Sequence, residues 1–163
     1  MTKSFDELIA KLDGCPLKKV SVAVAQDAPV LEAIKVAKER NIADAILVGD
    51  EDKIKEIAAS IQMDLSGYEI IDEKDITEAA RKAVSLVHEG KADMYMKGMI
   101  DTKGFLKSVL DKEVGLRTGQ PLSHVCVFDV EGIDQLLFLS DVAFIPYPTL
   151  EDKVAIINNT VEV

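Results

Sequence analysis

The chain has 163 residues, 48% hydrophobic, which is enough to fill one full core, and the length alone suggests a single domain. A net charge of −10, 5% aromatic content and no Trp leave neither the cationic surface nor the stacking platforms that nucleic acid needs. The acid excess is uneven. From Lys91 to His124, six Lys and Arg side chains stand against four Asp and Glu, so this window is +2 and the remainder carries −12. That distribution predicts a small anionic ligand and no polyanion.

The N-terminal MTKSFDELIAKLDG predicts a short amphipathic helix with Leu8, Ile9 and Leu12 on its edge. It lacks the apolar core of a signal peptide. No stretch approaches the roughly 18 apolar residues of a membrane span, so no membrane partner and a cytoplasmic location are expected. Cys15 and Cys126 cannot build a disulfide framework, and neither has a neighbour at metal-ligand spacing. KKVSVAVAQ then alternates Val20, Val22 and Val24 with Ser21, Ala23 and Ala25. This predicts a strand covered on both faces, with a helix packed closely over the small residues. Asp27 and Pro29 open a helix carrying Val30, Ile34 and Ala37. Asp44–Gly49 reads as a strand, and Asp50 as the cap of a helix with Ile54, Ile57, Ala58 and Ile61. Tyr68–Ile71 is a third strand. Asp75 with Glu78 has the capping-box spacing ahead of a helix with Ile76, Ala80, Ala83, Val84 and Val87 on one side. His88 ends that helix as a dipole partner.

Ala92–Leu110, ADMYMKGMIDTKGFLKSVL, supplies a fourth strand (Asp93–Met96), a tight turn at Gly98 and a helix from about Thr102. Asp101 or Thr102 can cap that helix. Strand, turn and helix N-terminus predict several backbone N–H groups and a positive dipole end aimed at one point, bracketed by Lys97 and Lys103. The plainer alternative is an ordinary βα turn whose lysines are solvated. Met94, Met96 and Met99 read as packing. Four successive βα units predict a parallel sheet, whose ligands sit beyond the carboxyl ends of the strands. Of the loops there, AQDAP has no GxGxxG, and Asp50–Asp52 and Asp72–Asp75 repel anions. The fourth loop alone suits phosphate.

After Leu110 the pattern changes. DKEVGLRTGQP reads as a linker. LSHVCVF and LLFLS predict a hairpin turning near Gly132, and DVAFI a further strand. Thr149 with Asp152 has the capping-box pattern of a last helix. The expected organisation is a first α/β domain over 1–120 and the beginning of a second over 121–163. The apolar residues from Val125 to Phe144 exceed what so small a domain can bury, so self-association into a homo-oligomer through the segment after Pro121 is expected.

Four stretches taken together, Ile46–Ile54, Met96–Leu110, Gly115–Val125 and Ser140–Lys153, resemble the phosphate acetyl/butyryl transferase family, its butyryl branch in particular. The resemblance implies an isocitrate/isopropylmalate dehydrogenase-like fold of two α/β domains with the active site in the cleft between them. It implies reversible acyl transfer between coenzyme A and inorganic phosphate. No metal or redox cofactor takes part, and the coenzyme A ester enters as substrate. Family chains are about twice this length, so the resemblance places this chain as the N-terminal half. The other half would supply a serine–arginine pair and an aspartate. Lys107 stands where the family often has Arg, keeping charge but losing bidentate geometry.

On that chemistry Lys97 and Lys103 can neutralise the phosphate, while Gly98, Thr102 and Lys107 help bind it. Arg117 adds a guanidinium fork, or is a solvated linker arginine. Ser123 and His124 open the hairpin, where Ser123 can contact substrate. His124 is a candidate general base or a hydrogen-bonded structural side chain. His124 and Cys126 share a strand face, a spacing that suits core packing better than a nucleophilic pair. Other readings are a related acyl-phosphate synthase, a dehydrogenase of the same fold, or a non-catalytic anion-binding or regulatory module.

Overall fold

The computed structural model describes residues 2–163. Its elements are α1 (Phe5–Ala10), β1 (Lys18–Ala23), α2 (Ala28–Glu39), β2 (Ala43–Gly49), α3 (Glu51–Ser60), β3 (Glu69–Asp72), α4 (Ile76–His88), β4 (Met94–Lys97), α5 (Thr102–Val109), β5 (Cys126–Phe128), β6 (Leu137–Leu139) and α6 (Leu150–Glu162). They form two compact units, Gly14–Arg117 and a second in which the segment ending at Asp13 joins Thr118–Val163. The chain passes between units at Asp13–Gly14 and again at Arg117–Thr118, and α1 groups with the second unit. Phe5 N donates to Asp129 at 3.0 Å, and Lys3 pairs with Asp134 at 2.6 Å. A six-residue helix with no buried residue has no face that demands the sheet. No helix among the described residues is long and apolar enough to cross a membrane.

In Gly14–Arg117 the strands lie in the order β3-β2-β1-β4, all parallel, with Val22 opposite Leu47 on one side and Met96 on the other. Val20, Val22, Ala45 and Leu47 face α2 and α3, whose Val30, Leu31, Ile34, Ile54 and Ala58 fill that layer. Each fully buried Leu or Val there contributes about 1.5–3 kcal/mol. On the other face Ala23, Ile46 and Val48 lie under α4. Ala79, Ala80 and Ala83 bring this helix so near that Ser21 Oγ donates to Ala83 O at 2.7 Å. The close approach over the small residues is the one the Ser/Ala alternation predicts.

The alternation breaks at Val24. Its φ of 56° is left-handed, an outlier for a β-branched residue. The reversal moves Val24 to the face of Ala23 and returns Ala25 to the face of Val20 and Val22. The expectation that Val24 shares a face with Val20 and Val22 is therefore corrected. Two bonds hold the bend: Ala25 N donates to Val48 O at 3.0 Å, and Met99 N to Val24 O at 2.8 Å. The strand order reverses between β1 and β4, so the crevice of this sheet opens where β1 and β4 end.

Carboxylates in this unit are well supplied with donors. Lys18 Nζ and Lys19 N donate to Asp93 at 2.7 and 2.8 Å, and hold its carboxyl below the ordinary value. Burial pushes Asp44 up, but Lys38 Nζ at 2.8 Å and Ala45 N outweigh it, so Asp44 too is lowered. A pKa lowered by folding means that the unfolded chain binds more protons in acid. The stabilisation is complete above the unfolded value, about 4, and is lost as pH falls through the folded one. The thermal midpoint should therefore be level from pH 7 to about 5 and fall steadily below about 4. Circular-dichroism melts across that range check this, and a midpoint rising in acid would contradict it.

In the other unit β5 and β6 pair antiparallel, Cys126 opposite Leu139 and Phe128 opposite Leu137, with Gly132 in the connection. The predicted capping box is present: Asp152 N donates to Thr149 Oγ1 and Thr149 N to Asp152 Oδ2, at 3.2 and 2.9 Å. The strand expected at DVAFI is not formed. The Asp141 carboxylate takes up the N–H groups of Ala143 (3.2 Å), Phe144 (3.2 Å) and Ile145 (2.6 Å), and that of His124 (3.0 Å). A strand would give those donors to a neighbour. Burial raises the Asp141 pKa, yet the four bonds outweigh it and the net shift is downward. Asp141→Ala strips four donors of their acceptor, three of them in one turn, with water able to replace part of the loss. It is expected to cost about 1.5 kcal/mol, read as a lower urea midpoint. An unchanged midpoint would contradict this role. Among the described residues of this unit Ile156 is the buried apolar side chain, while Leu139, Leu150, Val154 and Ile157 are more than half exposed.

Candidate functional site

The turn after β4 is closed onto the end of β1. Gly98 N donates to Ala23 O and Met99 N to Val24 O, each at 2.8 Å, and Ile100 N donates to Gly98 O at 2.9 Å. These three N–H groups, expected to point at an anion, are spent inside the turn because buried backbone donors must be paired. Gly98 is there for proximity. A Cβ would lie 2.5 Å from Ala23 O and closer still to Val24 O. Donors remain one step later: the N–H groups of Thr102 and Lys103, which open α5, make no hydrogen bond among the described residues. Asp101 is the cap, its Oδ1 accepting from Gly104 N at 2.6 Å, so the Thr102 hydroxyl is left unused.

A cleft of about 530 Å³ lies between α4 and α5. Lys103 and Lys107, one helical turn apart, line it from α5, and Arg81 from α4. Arg81 is committed elsewhere: its Nη2 is 2.5 Å from Glu113 and its Nε 3.8 Å from Asp111. Asp111 also accepts the N–H groups of Val114 and Glu113, which chiefly hold its carboxyl below the ordinary value. Lys103 and Lys107 make no ion pair among the described residues. In this same unit Lys18, Lys38, Lys53, Lys55, Lys74, Lys82 and Lys91 all have acid partners. Like charges one turn apart repel by a few tenths of a kcal/mol, so two unpaired lysines on an acidic chain suit an anionic guest. Asp101 and Asp111 are the adverse groups, and both are occupied by backbone donors.

Other candidates are placed differently. Lys97 ends β4 beside Gly98, exposed and without an ion-pair partner among the described residues, and does not line the cleft. Arg117 closes the unit and is exposed. The chain leading to it is fixed by Leu116 N donating to Val109 O at 2.8 Å and by His88 Nδ1 at 3.0 Å from Gly115 O. A carbonyl can only accept, so His88 donates there and is more than a dipole partner. Ser123 and His124 belong to the second unit. Ser123 Oγ accepts from Asn159 Nδ2 at 2.8 Å, and Ser140 Oγ donates to His124 O at 3.0 Å. The His124 ring packs against Phe144 with centroids 5.8 Å apart, and Cys126 Sγ is 3.9 Å from each of its ring nitrogens.

The apolar side of the cleft was not legible as such. Ile76 reads as part of the core face of α4 and Met99 as packing, but they are 51% and 56% exposed. The available signal is that Ile76 opens α4 and Met99 lies in the turn between β4 and α5, both outside the middle of an element. Both also line a second cleft with Val24, Gln26, Lys53 and Lys74. There Lys53 and Lys74 are neutralised by Asp50 and Asp52.

The sequence matches the family described as phosphate acetyl/butaryl transferase over residues 4–80 and 73–163. It is 63% identical to a phosphate butyryltransferase of Clostridium beijerinckii over all of this chain and 54% of that one. It is 58% identical to the phosphate butyryltransferase of Clostridium acetobutylicum, again over all of this chain and 54% of the relative. Among solved structures, a branched-chain phosphotransacylase from Enterococcus faecalis V583 superimposes with a TM-score of 0.72 at 26% identity, over 90% of this chain and 50% of that one. The chain spans about half the length of the curated relatives it matches.

Proposed function

This chain belongs to the phosphate acetyl/butyryl transferase family, and we propose that it carries the phosphate side of a transferase moving a butyryl or other short acyl group between coenzyme A and inorganic phosphate. The observation that carries the reading is the unpaired Lys103–Lys107 pair beside the free N–H groups of Thr102 and Lys103. In this reading those groups hold the phosphate, and Lys97 and Arg117 add positive potential near the end of β4 and the end of the unit. Towards thioester, the coenzyme A thiolate attacks the acyl carbonyl carbon, a C–S bond forms, and the C–O bond breaks with its electron pair leaving on phosphate. The enzyme must position the two substrates and neutralise the departing charge; no covalent enzyme intermediate is required. The reaction as proposed uses no cofactor, with the coenzyme A ester as substrate, and a cytoplasmic location accompanies such substrates.

The test has two readouts on the 163-residue chain: calorimetric titration with inorganic phosphate, and release of free thiol from butyryl-coenzyme A when phosphate is added. Phosphate should bind. Thiol release should be weak from this chain and strong once it is extended to its relatives' length. No phosphate binding would overturn the site. Binding with no turnover in the extended form would favour the non-catalytic anion-binding module. A homo-oligomer is part of the proposal, supported by the exposed Leu139, Val154 and Ile157 of the second unit. Sedimentation equilibrium should show a dimer or larger, and a strict monomer would remove that part.

A further inference from the structure

We propose that the cleft between α4 and α5 selects acyl phosphates by chain length, with Lys103 and Lys107 on the phosphate and Ile76, Ala80, Met99 and Ile100 as the wall for the acyl chain. The inference rests on reading this cleft as the phosphate side of acyl transfer and adds which end of the substrate each wall takes. Ala80 and Ile100 form a buried floor, 1% and 8% exposed, whereas Ile76 and Met99 are more than half exposed at the rim. Two large apolar side chains left in water beside two unpaired lysines make a poor surface for water and a good one for a guest with an anionic head and an apolar body. Inorganic phosphate would use the lysines and leave the rim wet. The volume, about 530 Å³, lies within the range of small-molecule sites.

The orientation follows from charge. Ile76 and Met99 stand between two clefts, and only on the α5 side are the lysines unpaired; across the rim Lys53 and Lys74 are bound to Asp50 and Asp52. The anionic head therefore belongs with Lys103 and Lys107, and the chain extends along α4 over Ala80 to the rim.

Alkylphosphonates serve as hydrolysis-proof probes of this arrangement. Affinity of the 163-residue chain is measured by calorimetry for inorganic phosphate, methylphosphonate, ethylphosphonate, propylphosphonate and butylphosphonate. Each added methylene should tighten binding about two- to fourfold. In the double variant Ile76→Ser, Met99→Ser, whose sites are half exposed and outside the core, phosphate affinity should stay within about twofold while the rise with chain length disappears. Lys107→Ala should weaken every member of the series by the same factor. A flat series in the parent chain, with phosphate still bound, would overturn the acyl wall and leave the proposed function standing. A chain-length rise surviving the double variant would place the chain elsewhere and overturn it too. Butyrate binding as tightly as butylphosphonate would assign the site to carboxylates. Failure of phosphate and of every phosphonate to bind would overturn the phosphate site itself.

Discussion

Gly98→Ala is expected to lower the stability of the chain by about 3 kcal/mol and to abolish phosphate binding. The added methyl group meets backbone, the Ala23 and Val24 carbonyls, and no side chain that can swing aside. Relief requires β4 to withdraw from the end of β1. That breaks the bonds from Gly98 N to Ala23 O and from Met99 N to Val24 O, and leaves buried donors and acceptors unpaired. Val24 is held in its left-handed conformation by the same contact, so its strain loses part of what offsets it. Because α5 begins only three residues after Met99, movement of the turn carries Thr102 and Lys103 with it. Urea denaturation followed by circular dichroism should give a lower midpoint at unchanged slope. A variant within about 0.5 kcal/mol of the parent would show that the closed turn is not what aligns the two strand ends.

The parts of this fold that were legible in the sequence are those set by local periodicity. Val20 and Val22 against Ser21 and Ala23 announce a strand covered by a close helix, and α4 is that helix. Asp50 and Asp75 announce helix starts by chemistry that acts over three residues, and both side chains cap. What was not legible depends on partners distant in sequence. The order β3-β2-β1-β4 is decided by which edges meet, and it determines that the turn at Gly98 lies against Val24. Without that neighbour the N–H groups of Gly98 and Met99 look free, and the left-handed bend of Val24 has no trace in a run of Val and Ala. DVAFI looks like a strand by composition, yet the carboxylate of Asp141 claims its donors. Lys103 and Lys107 were legible as cations of a basic window. Their want of ion-pair partners was not, since it emerges only when the nearby carboxylates of Asp101 and Asp111 are seen to be occupied by backbone donors.

Replacing Lys103 and Lys107 together by Ala should reduce phosphate affinity roughly a hundredfold, close to 3 kcal/mol, the sum of two charge-assisted contacts at the low end of their range. Each single variant should lose about tenfold. Lys97→Ala should lose no more than about threefold, since its charge lies outside the cleft and acts through screened solvent. The stability readout separates a binding role from a structural one. Lys103 and Lys107 are exposed, unpaired and mutually repulsive across one turn. Lys103 stands in the first turn of α5, where a cation also opposes the helix dipole. Lys107 stands in the last turn and attracts Asp111. Removing Lys103 relieves about 0.2–0.5 kcal/mol of repulsion and installs a better helix former. Lys103→Ala should therefore melt at the same temperature as the parent or slightly above it while binding phosphate about a tenth as well. Raising the salt concentration should weaken the parent's phosphate binding more than the double variant's residual binding. Affinity unchanged in the double variant, with its melting intact, would mean that these lysines are solvated charges and that the anion site lies elsewhere on the chain.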